Sequence, residues 1–157
     1  LGGQMPEIGE KSPNFTLLRD GGGVVSLADY AGKTLVMYFY PRDDTPGCTT
    51  ESISFTQHLA DFQASGAEIL GVSKDSVKSH DKFVAKHALG IALASDEDGT
   101  LCEDMGVWVE KNMYGKTYMG IERATFVING DGVITHKWNK VKVPNHVEAV
   151  LDAVQSA

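Results

Sequence analysis

The chain has 157 residues, 42% of them hydrophobic, and a formal charge of -7. That length suits one domain with a single core, and the acidic balance argues against nucleic acid or an anionic membrane as a partner. No apolar run approaches the ~20 residues that span a bilayer and no signal peptide is visible, so a cytoplasmic location is expected.

Leu1-Gly2-Gly3-Gln4 ahead of Met5 reads as a cloning remnant. Residues 1–5 are therefore expected to be a remnant or disordered, and 6–157 to form the domain. Residues 6–14 are rich in turn formers. Phe15-Thr16-Leu17-Leu18 and Val24-Val25-Ser26-Leu27 then read as a hairpin around Asp20-Gly21-Gly22-Gly23. A phosphate loop would need such glycines to feed a helix through Lys-Ser/Thr, which is absent here. Thr34–Tyr40 is almost continuously apolar, as in a strand covered on both faces. The helix predicted after it runs from Pro46 to Ser65-Gly66, with Cys48, Ser52, Phe55, Leu59 and Phe62 on one stripe.

Glu68–Ser73 is a second buried strand and Asp75–Lys86 a helix, an order that gives an α/β sheet with a crossover connection. His80 and His87 lie one heptad apart on that helix without a third ligand nearby, and are read as solvated or capping rather than metal-binding. Leu93–Asp96 precedes a short helix, Thr100–Met105, that carries Cys102. Residues 108–119 mix charges, aromatics and Gly115 and are read as a surface loop. Ala124–Ile128 and Val133–Trp138 flank Asn129-Gly130-Asp131-Gly132 as a second hairpin. Pro144 is read as opening a final amphipathic helix that buries Val147, Val150, Leu151 and Val154.

The chemistry gathers between the central strand and its helix, at Tyr40-Pro41-Arg42-Asp43-Asp44-Thr45-Pro46-Gly47-Cys48-Thr49-Thr50-Glu51. Thr45 is a good N-cap and Pro46 fits the first helical position, so Cys48 is the third helical residue. There the unpaired N–H groups and the helix dipole favour an anion, which for cysteine is the nucleophilic thiolate. Asp43 and Asp44 oppose that anion, so a cation is expected to offset them, with Arg42 and the more distant Arg123 as candidates. Cys48 and Cys102 are the two cysteines, with no Cys-x-x-Cys and no zinc-type spacing. They fit a reducing compartment better than a disulfide framework.

Pro41-x-x-x-Thr45-x-x-Cys48 resembles the peroxiredoxin active-site motif, and the run Tyr38–Glu51 resembles the bacterioferritin-comigratory (Q-type) subgroup. The likeness continues through Gly71-Val72-Ser73, Ser95-Asp96-Glu97-Asp98, Gly106-Val107-Trp108, Tyr114-Gly115-Lys116 and Gly120-Ile121-Glu122-Arg123, and covers nearly the whole chain from Pro6. It implies a thioredoxin-like α/β fold, with a central mixed sheet flanked by helices and an N-terminal hairpin extension. It also implies an antioxidant peroxidase of cell redox homeostasis, in which Cys48 is oxidised to a sulfenic acid by hydrogen peroxide or small organic hydroperoxides. Thr45 would orient the peroxide, Arg123 would stabilise the thiolate and the leaving oxygen, and Pro41 would wall the pocket. The backbone N–H groups of Gly47 and Cys48 would serve the same oxygens.

The subgroup's resolving cysteine falls at residue 53 or 84, which here are Ile53 and Val84. Cys102 is read as a small buried thiol rather than as a replacement. The resemblance thus implies a one-cysteine cycle completed by an external thiol of the thioredoxin, glutaredoxin or glutathione kind, in a monomer without metal or cofactor. A peroxide sensor or redox relay using the same Cys48 without sustained turnover remains the alternative.

Overall fold

The computed structural model describes residues 4–157; the expectation for Leu1–Gly3 falls outside the described residues, while Met5 packs against the core. The chain forms β1 (Thr16–Arg19), β2 (Val24–Ser26), β3 (Thr34–Phe39), α1 (Pro46–Gln57), α2 (Leu59–Ala64), β4 (Ala67–Ser73) and α3 (Val77–His87). It continues with β5 (Ala92–Ser95), α4 (Leu101–Asp104), β6 (Trp108–Met113), β7 (Lys116–Ile121), β8 (Ala124–Ile128), β9 (Ile134–Trp138) and α5 (His146–Gln155). Seven strands make one mixed sheet in the order β2-β1-β5-β4-β3-β8-β9. The β3–β4 and β4–β5 pairs are parallel, and β3–β8 is antiparallel with Phe39 opposite Ala124. This is the mixed, helix-flanked sheet of the thioredoxin type, with β1–β2 as its N-terminal hairpin.

Every residue from Leu35 to Tyr40 is buried, and period-two alternation divides them between the two faces. Leu35, Met37 and Phe39 enter a cluster with Leu101, Cys102, Met105 and Ile121. Val36, Tyr38 and Tyr40 enter another with Cys48, Phe55, Phe62, Phe83 and Val150. The two cysteines therefore belong to different core clusters, on opposite faces of the sheet. Gly71 lets β4 pass close to Tyr38: a Cβ there would lie 2.8 Å from Tyr38 Cζ.

The structure corrects four local readings. The single helix expected over 46–65 is divided at His58, where Thr56 Oγ1 and the His58 ring engage the carbonyls of Ser52 and Ser54, a back-bonding that bends helices. Its apolar stripe is nevertheless placed as expected. The loop read over 108–119 is instead the hairpin β6–β7, closed by Tyr114 and Gly115 at φ 54° and 78°. Its strands are mostly exposed, so they lack the buried alternation that reveals strands in sequence. Pro144 precedes α5 by a turn instead of opening it, and Asn145 is the N-cap. His80 is fully buried rather than solvated, and His87 pairs with Asp44. Two carboxylates from outside α3, Asp43 and Asp75, come within reach of His80. Both its ring nitrogens already face oxygen acceptors, so it has no lone pair to offer a metal.

Candidate active site

Hydrogen bonding to Val72 carries Tyr40 past the end of β3, after which the backbone leaves the sheet at Pro41 and returns as α1. Pro46 and Gly47 occupy the first two helical positions and Cys48 the third, as the sequence indicates. Thr45 stands at the N-cap, but its hydroxyl does not cap; it donates to the Arg42 carbonyl at 2.9 Å. The hydroxyl's own lone pairs and the first-turn N–H groups are thereby left without the reciprocal bond of a capped helix.

Cys48 has 0% exposure. Arg123, in the short turn between β7 and β8, reaches it because β8 lies against β3. Its Nη2 donates to Cys48 Sγ at 3.3 Å and its Nη1 to Glu51 Oε1 at 2.6 Å. A guanidinium is suited to this double engagement, since its donors are fixed in one plane. Burial works against the Arg123 charge, but Glu51 and Cys48 outweigh it and hold its pKa above the ordinary value. Gly47 makes the approach possible: a Cβ there would sit 3.2 Å from Arg123 Nη2.

Glu51 is the residue that the sequence reading left without a role. It lies one turn after Cys48 on the same helix face, and that spacing was the available signal. It is fully buried, and its second oxygen, Oε2, has no partner among the described residues. Burial pushes its pKa up to about 7, against the lowering influence of Arg123. The folded state thus holds this proton more tightly than the unfolded chain, and stability is lost as pH rises from about 4.5 to about 7. His146 runs the other way. Burial, then Arg123, pushes it down to about 4, and it is bonded to Thr125 Oγ1 at 2.8 Å. Its contribution is lost as pH falls from about 6.5 to about 4. The two slopes offset each other in the wild type. Glu51→Gln, which mimics the protonated acid, is expected to match wild type near pH 4 and to exceed its stability by roughly 3 kcal/mol near pH 8. Denaturant titrations at the two pH values check this; an equal difference at both would contradict it.

Asp43 and Asp44 do not load negative charge onto Cys48 in the way the sequence suggests. Asp43 is taken up by His80, and Asp44 by Lys86 and His87, all on α3. Hydrogen bonds from Lys86 and His87 lower the Asp44 pKa. Arg42 is exposed. Pro41, Arg42 and Thr45 line one side of a cavity of about 580 Å³, faced by Lys74, Trp108, Lys111, Tyr118, Met119 and Ile121. Lys111 was not anticipated either. It donates to the Ile121 carbonyl at 2.6 Å, and burial, then Arg123, lowers its pKa.

Ile53 and Val84 both pack on the cluster that contains Cys48. Cys102 lies across the sheet, its backbone N–H bonded to Asp96. Burial, then the Asp96 carboxylate, pushes its thiol far above the ordinary range.

A buried cysteine at a helix N-terminus, bonded to an arginine from the neighbouring strand's approach, defines a thiol-chemistry protein on a thioredoxin-like sheet. The AhpC/TSA family profile matches residues 8–137. Peroxiredoxin Bcp of Xanthomonas campestris is 52% identical over 143 residues, covering 91% of this chain and 89% of that protein. Among solved structures, a Cys-to-Ser variant of Xylella fastidiosa PrxQ superposes with a TM-score of 0.92 at 43% identity, covering 99% of this chain and 98% of that one. The X. campestris bacterioferritin comigratory protein, solved in work on its alkyl peroxide reduction activity, gives 0.86 at 49% identity, with 90% of each chain covered. The chain belongs to the AhpC/TSA family, in its Bcp (peroxiredoxin Q) branch, and is a thiol peroxidase. A peroxide is its substrate and a thiol its reductant. Among the described residues, no helix is long and apolar enough to cross a membrane.

Proposed function

We propose that Cys48 is the peroxidatic nucleophile of a one-cysteine cycle acting on hydrogen peroxide and small organic hydroperoxides. The observation that carries this reading is the Arg123 guanidinium, which bridges Cys48 Sγ and buried Glu51 at the start of α1. A charge-assisted hydrogen bond of this kind is stronger to a thiolate than to a thiol. The thiolate attacks the terminal oxygen of ROOH; an S–O bond forms, the O–O bond breaks, and RO⁻ leaves to take a proton as ROH. Arg123 and the first-turn N–H groups of Gly47 and Cys48 stabilise the charge on the oxygens in transit, and the Thr45 hydroxyl orients the peroxide. Pro41 limits water at the sulfur. The alkyl peroxide activity attributed to the X. campestris relative supports the organic substrates.

One external thiol then displaces water from the sulfenic acid to give a mixed disulfide, and a second releases Cys48. The apolar residues at 53 and 84, together with the position of Cys102 behind the sheet, favour this external route. Thioredoxin, glutaredoxin or glutathione can supply the thiol, and two unpaired cysteines suit a reducing cytoplasm. We take the working unit to be a monomer folded as one domain from residue 6 onward.

Steady-state peroxide consumption by Cys102→Ser, with each of the three reductants, tests the cycle. Turnover within about twofold of wild type is expected, because a distant buried thiol has no step to perform. Loss of turnover in this variant would make Cys102 the resolving residue. A single turnover in wild type with every reductant would favour the sensor.

A further inference from the structure

The turn that delivers Thr45 and Cys48 is clasped to α3 at two points. Asp44, at φ 60°, is held by Lys86 and His87 at 2.7 and 2.8 Å. Asp44 and Lys86 are largely exposed, and surface pairs of this kind hold weakly. The second clasp is buried. Asp43 accepts from the Tyr40 hydroxyl at 2.6 Å, the Ser79 hydroxyl at 2.8 Å and His80 Nδ1 at 2.7 Å. Its backbone N–H donates to Asp75 Oδ2 at 2.9 Å, and the same oxygen accepts from the Ser73 hydroxyl at 2.6 Å. His80 Nε2 lies 2.9 Å from the Ala94 carbonyl, an acceptor only, so Nε2 carries a proton. Nδ1 faces Asp43 Oδ2, which already accepts from the Ser79 hydroxyl while Oδ1 accepts from Tyr40, so it donates too. The ring is an imidazolium, fixed between β5 and the turn. Burial opposes that charge, but the Asp43 hydrogen bond and charge outweigh it and raise the His80 pKa.

We propose that His80 is a positioning residue for the peroxidase: through Asp43 it holds the Asp43-Asp44-Thr45 turn in the shape that sets Thr45 and the first-turn amides beside Cys48. The clasp also divides the cycle. Attack on peroxide needs the turn closed, whereas an external thiol must reach a sulfur with 0% exposure and needs it open. Loosening the clasp therefore moves the two half-reactions in opposite directions. His80 acts through Asp43 and touches no reacting atom. The inference rests on the reading of Cys48 as the nucleophile reduced by an external thiol.

Rapid-mixing measurements on His80→Gln separate the steps: oxidation of Cys48 by hydrogen peroxide, and reduction of the preformed sulfenic acid by dithiothreitol. Peroxide oxidation is expected to slow about 10- to 100-fold through lost alignment, while sulfenic acid reduction accelerates severalfold. Ser79→Ala removes one hydrogen bond to Asp43 from a half-buried position, and is expected to give the same pair of signs with smaller size. It keeps the test readable if His80→Gln does not fold. Rates that fall together, or that both stay at wild-type values in folded variants, overturn the assignment. The mass of peroxide-treated wild type keeps the two readings apart. No oxygen on Cys48 defeats the nucleophile reading, whereas a sulfenic acid there with unsplit rates defeats only the role of His80.

Discussion

Replacing Cys48 by serine is expected to reduce peroxide consumption to the uncatalysed background, with the fold retained. The side chain is fully buried in the cluster that also holds Tyr38, Phe55 and Val150, and that cluster accepts a slightly smaller atom. What disappears is the proposed nucleophile. A serine hydroxyl stays protonated at neutral pH and is a far weaker nucleophile than a thiolate. Peroxide consumption followed by oxygen-independent dye assay, alongside a thermal melt, checks both halves. Activity surviving in Cys48→Ser would remove the basis of the mechanism, since the other thiol lies in the cluster across the sheet.

Arg123→Ala is expected to slow oxidation of Cys48 by about 10²- to 10³-fold, the usual cost of deleting a preorganised donor at a developing charge. Two defects combine. The sulfur loses its charged hydrogen-bond donor, and Glu51 is left buried without the cation that satisfies Oε1. Arg123→Lys is expected to recover only part of the loss. A lysine ammonium is a point charge and cannot serve Cys48 and Glu51 through two coplanar donors. Second-order oxidation rates from competition with a reference peroxidase measure the effect. Equal rates for Arg123→Lys and wild type would mean that charge alone matters, and that the Glu51 bridge contributes nothing.

Much of this site is legible in the sequence because its parts are local. Proline at the first helical position and a cysteine two residues later specify where Cys48 points. The apolar run at 34–40 specifies the strand that carries the turn. Arg123 is distant in sequence, but the adjacent hairpin signal over 124–138 places its strand in the sheet, and β8 indeed pairs with β3. What the sequence hides are partnerships between segments. Glu51 looks like a solvent-facing helix residue until Arg123 arrives from 72 positions away. Asp43 and Asp44 look like a penalty on the thiolate until α3 supplies His80, Lys86 and His87. His80 looks solvated because its acceptors, Asp43 and the Ala94 carbonyl, come from two other segments. The β6–β7 hairpin escapes for a different reason. With little of it buried, pairing and the Tyr114-Gly115 turn alone define it, and neither leaves a hydrophobic period.

Cys48 alone is proposed to carry the oxidised intermediate, and intact mass after one equivalent of hydrogen peroxide shows whether it does. Samples of wild type and Cys102→Ser are treated with and without dimedone, and the adduct is located by peptide mapping. One dimedone on Cys48 is expected in both proteins, and one added oxygen when dimedone is omitted. Loss of two hydrogens in wild type alone would instead mean a Cys48–Cys102 disulfide, contradicting the one-cysteine cycle and requiring α4 to leave its place behind the sheet.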